Sequence, residues 1–401
     1  MKAKGKNKKR LGFITLETIN HFSKAAFTSL ISLVVIRNTG EEVWGSFVPF
    51  LIGVELALTL LNWGQKPYLL RSFSLESFSI SKSWSISFWS RLILFLPILV
   101  LLGFMPYSAE IIGYCLAWTG MRFFTHSLEP VVQYSRTYLT SIVSEVLALI
   151  VAVGILLLSE EITLTVLFNA MVFSSLSKAV VLFIILPRGQ LNMPKWFEIK
   201  SFLFSAFPFF LLGFVGLLQS KVDLYLVSWL MPKVQIAFYQ VLIGFLIILQ
   251  TSAFVIIGPF QKNIYRMSSE SLRQVKQQFL WLGIIIVTFG SVISVILLKW
   301  LYLFDVDFFI APLIVFYVLP SFWYMLESQV LIKHKELYYL SFSAVLSTLL
   351  GAIIIYFTIQ SYGVMGALIG GITSRLIFTV LISYKYERVI SRPQSTVDKH
   401  G

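Results

Sequence analysis

Apolar residues run along this chain in blocks of about twenty, separated by short polar and basic stretches. A hydrocarbon core of about 30 Å takes about 20 apolar residues per helix, so each block predicts a membrane span. Twelve are expected, at roughly 14–36, 45–64, 86–105, 109–128, 138–158, 162–186, 202–230, 236–260, 278–298, 309–331, 338–359 and 363–384. The first opens on a polar stretch, "ETINHFSK" (17–24), in which Glu17, His21 and Lys24 are spaced i, i+4, i+7 and share one helical stripe that Thr28 continues. A span beginning only at Ala25 would hold 12 residues before Arg37, too few to cross, so the stripe belongs inside the membrane.

Lys and Arg in the connecting segments set the orientation. Twenty-three fall on the side that holds both ends of the chain, and three (Arg37, Lys233 and Lys299) on the other. Both termini are therefore expected in the cytoplasm, and the N-terminal basic-then-apolar stretch is read as a retained helix rather than a cleaved leader. Composition agrees: 57% of residues are hydrophobic and only 13% charged, against about 25% charged in a soluble domain. The net charge of +13 is mostly this asymmetry, which removes the need for a nucleic-acid partner. Cys115 is the sole cysteine, so no intrachain disulfide can form.

Six plus six spans enter from the same side, which permits a parallel duplication. With an offset of 191, Phe47 meets Phe238, the two "LIG" triplets coincide and Arg71 meets Lys262. The expected organisation is a basic cytoplasmic N-terminus (1–13), an N-lobe (14–186), a cytoplasmic linker (187–201), a C-lobe (202–386) and a cytoplasmic tail (387–401). The fold class is an all-α polytopic membrane protein.

"RNTGEEVWGSFVPF" (37–50) and "WGQKPYLLR" (63–71) resemble the outward turn and the second-helix end of polysaccharide flippases. "FPFFLLGFVGLLQSKVDLYLVSWLMPKVQIAFYQVLIG" (207–244) is similar to the start of their second lobe, although Ala237 stands where that family has Gly. These flippases belong to the multidrug/oligosaccharidyl-lipid/polysaccharide (MOP) superfamily. The resemblance implies about 12 helices in two six-helix lobes, of the multidrug-and-toxin-extrusion type. It also implies a cavity lined by helices one, two, seven and eight, and residence in the bacterial cytoplasmic (inner) membrane. The implied partner is an undecaprenyl-pyrophosphate-linked oligosaccharide, flipped for O-antigen, capsule or exopolysaccharide, with the polysaccharide polymerase and chain-length regulator as further partners.

Six cations lie within the expected spans. Arg91, Arg122 and Lys178 stand near cytoplasmic ends and are expected at the interface or in structural roles. Lys24, Lys221 and Arg375 are deeper, and a deep cation must face a cavity or a counter-charge. A diphosphate needs cations at the midplane, which makes Lys24 and Lys221 the first candidates for it and Arg375 the next. In a structural alternative, Lys24 is neutralised by Glu17 or His21. Glu55, Asp223, Glu17 and His21 are candidates for a coupling proton or Na⁺. Lys221 and Asp223, two residues apart, point to different faces and do not pair simply. Gln219, Gln250 and Asn62 are candidates for sugar hydroxyls, or for holding helices together. No catalytic or metal constellation and no nucleotide-binding loop is present, so the expectation is a transporter without cofactor, driven by H⁺, Na⁺ or the membrane potential. Glu145 and Glu327 read as ordinary, and the glycines of 363–371 as helix packing. The rivals are a multidrug exporter of the same superfamily and, from another class, a membrane polysaccharide polymerase or acyltransferase.

Overall fold

The structure, a computed structural model, describes residues 2–75, 80–103, 107–187, 193–257, 260, 264 and 267–391. The expected tail beyond 391, linker residues 188–192 and Lys262 lie outside them. Among the described residues the protein is all-helical, and nine helices are long and apolar enough to cross a membrane. It is a multi-pass membrane protein. Backbone polar groups satisfied within each helix are what a bilayer demands. Large apolar side chains such as Ile150, Val180, Phe289 and Ile353 are exposed on the outside, where lipid replaces water.

The chain divides into two compact units, Met1–Leu217 and Leu218–Gly401. The first holds α1 (Lys2–Thr39), α2 (Glu41–Asn62), α3 (Gln65–Leu75), α4 (Ile80–Ile93), α5 (Phe95–Gly103), α6 (Ala109–Ser135), α7 (Tyr138–Leu158) and α8 (Leu164–Phe183). The division falls within α9 (Trp196–Leu230). In the second unit follow α10 (Lys233–Ile257), α11 (Ser269–Ile296) with a π-turn over Leu297–Leu301, α12 (Ile310–Lys333) and α13 (Leu337–Ile390).

Three elements depart from the expected boundaries. The third span begins at Ile80 rather than 86 and breaks after Ile93, so Arg91 sits in the last turn of α4. Of its two expected places Arg91 takes the structural one: it is wholly buried, its Nε donates to the Ser87 carbonyl at 3.2 Å, and its guanidinium carbon lies 4.8 Å from the Phe123 ring centroid. The fourth span does not stop at 128. α6 runs on to Ser135 through Pro130 and is closed by Arg136 in the left-handed conformation. A proline has no N–H for the carbonyl four residues back, and Gln65 Nε2 donates to that orphaned His126 carbonyl at 3.3 Å and to Ser127 O at 3.0 Å. The charge of Glu129 is met by Lys24 of α1 and Lys66 of α3, so the helix has no reason to end there.

The third departure is α13, which joins the last two expected spans. Gly363 divides it, with φ +55°, in the region that glycine alone adopts cheaply. The two halves fold back on each other. Thr358 Oγ1 donates to Gly366 O at 2.8 Å, Ser374 Oγ to Ser347 O at 2.9 Å, and Tyr339 OH to Leu381 O at 2.9 Å. A Cβ on Gly370 would stand 2.9 Å from Ile355 Cα, so the glycines here serve close helix packing and no phosphate loop is formed.

Candidate functional site

In the first unit the two polar stripes face a common cavity. α1 carries Glu17, His21 and Lys24 inward, and α6 carries Arg122, His126 and Glu129 at the same i, i+4, i+7 spacing. Their chemical order is reversed: acid, imidazole, cation on α1; cation, imidazole, acid on α6. Lys24 Nζ meets Glu129 Oε1 at 2.6 Å, and Lys66 Nζ reaches Oε2 of the same carboxylate at 3.6 Å. His126 Nδ1 lies 3.5 Å from Glu129 Oε1. The partner of Lys24 is thus Glu129, not Glu17 or His21. Glu129 lies one residue beyond the expected span of 109–128 and so is absent from the sequence candidates; the mirrored spacing on α6 is the signal that could find it.

The cavity has a volume of about 110 Å³ and is lined by Lys24, Arg122, His126, Glu129, Glu145 and Lys178 together with Trp118, Thr28, Thr125 and the serines of α8. Glu145 on α7 and Lys178 on α8 form a buried ion pair across their packed helices. Arg122 and Lys178 both line this cavity. An adjoining pocket of about 30 Å³ is lined by Glu17, Asn20, His21, Lys66 and Tyr138, among others. The stripe is therefore graded, with Glu17 and His21 on the smaller pocket and Lys24 on both.

The second unit holds a drier cluster. Asp223 on α9 is 1% exposed, accepts from Tyr317 OH at 2.5 Å, and is bonded by the Leu224 N–H at 2.8 Å. Arg375 on α13 is also buried, its guanidinium carbon 3.5 Å from the Tyr317 ring centroid and its Nη1 donating to Gly371 O at 3.1 Å. A Cβ at Gly371 would stand 3.2 Å from Asp223 Oδ2 and 3.4 Å from Arg375 Nη1, so acid and guanidinium share one spot. Asp223 and Arg375 are brought close together, linked through Tyr317, which bonds the acid and lies against the guanidinium. Lys221 is part-buried and, as its spacing predicted, on a different face from Asp223.

Gln219 Nε2 lies 3.4 Å from Ser347 Oγ, a helix-to-helix bond of the kind that holds bundles together. Glu55 on α2, Asn62 at its end and Gln250 on α10 are part-buried. Glu327 is not an ordinary surface acid: it is fully buried, paired with Lys276 at 2.5 Å and bonded by Ser383 Oγ at 2.7 Å. Among the described residues no group of three or more His, Cys, Asp or Glu is arranged to hold a metal.

No protein-family model and no curated protein matches the chain. Solved structures do. The lipid II flippase MurJ in an inward closed conformation superposes with a TM-score of 0.72 at 14% identity, covering 93% of this chain and 87% of that one. A multidrug resistance MATE family transporter of the MOP superfamily, inward-facing, gives 0.61 at 11% identity, covering 95% and 96%. The eukaryotic MATE transporter AtDTX14 gives 0.59 at 14% identity, covering 97% and 96%. The chain has the fold of these transporters.

Proposed function

We propose that the protein is a flippase that carries an undecaprenyl-pyrophosphate-linked oligosaccharide from the cytoplasmic to the outer leaflet of a bacterial inner membrane by alternating access, for O-antigen or another surface polysaccharide. The observation that supports it most is the sign of the charge in the first unit's cavity, where three cations stand against two carboxylates. A cationic lining suits a diphosphate head group and opposes a cationic drug. The likeness to a lipid II flippase is in keeping with that sign. On this reading Lys24 and Lys221 contact the diphosphate, Arg375 acts through Asp223 rather than by direct contact, and Asn62 and Gln250 face sugar hydroxyls. Glu55, Glu17 and His21 are the groups assigned to coupling by H⁺ or Na⁺, and the polymerase and chain-length regulator take the product onward.

Multidrug extrusion is the second reading, favoured by the fold likeness to MATE transporters. A knockout with leaflet-resolved analysis of lipid-linked sugars separates the two. Loss of the gene, or Lys24→Gln or Lys221→Gln at normal protein level, should leave undecaprenyl-linked repeat units on the cytoplasmic leaflet. Undiminished export in the knockout, with raised sensitivity to cationic drugs, would overturn the flippase reading.

A further inference from the structure

The cavity of the first unit does not balance its own charge. Lys24 is matched to Glu129 and Lys178 to Glu145. Arg122, on the same wall, makes no ion pair among the described residues; its guanidinium carbon lies 5.8 Å from the Trp118 ring centroid. The single negative charge of Glu129 already faces two ammonium groups, those of Lys24 and Lys66. A lysine or glutamate in such a place can neutralise itself by giving up or taking a proton. A guanidinium cannot, and a lone charge at membrane depth is costly. The remaining means of neutralising it is a counter-ion.

We propose that this cavity is a binding site for one monovalent inorganic anion of the halide class, held between Arg122 and the ammonium groups of Lys178 and Lys24. Its stoichiometry follows from the lining, which carries one positive charge in excess. Its valence follows from the same excess of one charge, which a monovalent anion neutralises without remainder when no substrate is present. Its size fits a cavity of about 110 Å³, which holds a small ion with part of its water shell. The inference goes beyond the flippase reading and stands whether or not the transported substrate is a lipid-linked sugar. The anion would be a structural counter-ion exchanged with the medium.

The test uses the purified full-length chain in nanodiscs with no lipid-linked substrate. Iodide is titrated against gluconate at constant ionic strength while tryptophan emission is followed, and chloride is titrated while the unfolding temperature is measured. We expect a saturable quenching component on top of the linear quenching of accessible indoles, lost in Trp118→Phe, and a saturable chloride-dependent rise in unfolding temperature. Arg122→Gln should lose both and, in gluconate, should be at least as stable as the parent. Arg122→Lys should keep both, which guards against a glutamine variant that fails to fold. Trp118→Phe should keep the chloride effect. Absence of any saturable halide effect, or its survival unchanged in Arg122→Gln, would overturn the proposal. So would protection by inorganic diphosphate with chloride inert, which would give the cavity to the substrate head group instead.

Discussion

Lys24 of α1 and Glu129 of α6 are joined at 2.6 Å across 105 residues of sequence, and this pair closes one side of the polar cavity in the first unit. Each residue is the last member of its own i, i+4, i+7 stripe. The pair decides how the stripes are used. Glu129 fixes Lys24, and the remaining cation of the cavity, Arg122, is left for another counter-charge.

Glu129→Gln should destabilise the protein more than Lys24→Met/Glu129→Gln does, because the single change strands Lys24 and Lys66. With both side chains part-exposed, we expect a coupling energy of about 1–3 kcal/mol from a double-mutant cycle on unfolding in detergent. Additive single and double variants would refute the pairing.

In the second unit, Tyr317→Phe removes the hydroxyl that donates to Asp223 and leaves a buried acceptor short of a bond. A loss of about 1–3 kcal/mol is expected, read as a lowered unfolding midpoint. Arg375→Met should cost more than Asp223→Asn/Arg375→Met, for the same reason that breaking a buried pair costs more than removing it. The reverse ranking would show that the two charges do not compensate each other.

Gly363→Ala places a Cβ at φ +55° at the head of the α13 fold-back. The expected cost is about 1 kcal/mol from backbone strain, measured as thermal stability. Gly370→Val should be markedly worse, since the added side chain meets the Ile355 backbone. Equal tolerance of both would refute the close approach of the halves.

Gln65→Leu removes the donor to the His126 and Ser127 carbonyls and should cost about 1–2 kcal/mol. Pro130→Ala in the same background should recover part of that loss, because an alanine N–H at position 130 can take the His126 carbonyl itself. No recovery would mean that Gln65 does not serve the gap left by the proline.

The all-helical membrane fold was legible because block length and hydropathy are local properties, and a span needs nothing else to be seen. The polar stripe on α1 was legible for the same reason. Its partner stripe was not, since pairing Lys24 with Glu129 depends on how α6 is placed, and Pro130 hid the continuation of that helix. The burial of Arg91 and Glu327 was not legible, because distance from a span's end does not reveal which side of the helix is covered. Burial of Arg375 with Asp223 depends on α9 meeting α13, a contact between residues 152 apart in the chain that no local pattern carries.

The fold-back of α13 has a consequence for how the protein is made. Neither half of that hairpin hides its glycines and serines alone: Gly366 and Gly370 need Thr358 and Ile355, and Ser374 needs Ser347. The first half leaving the ribosome therefore lacks these contacts until the second arrives. The pair then moves into lipid as one piece, so a stop codon shortly after Gly363 should yield a product cleared by membrane quality control rather than a shortened transporter.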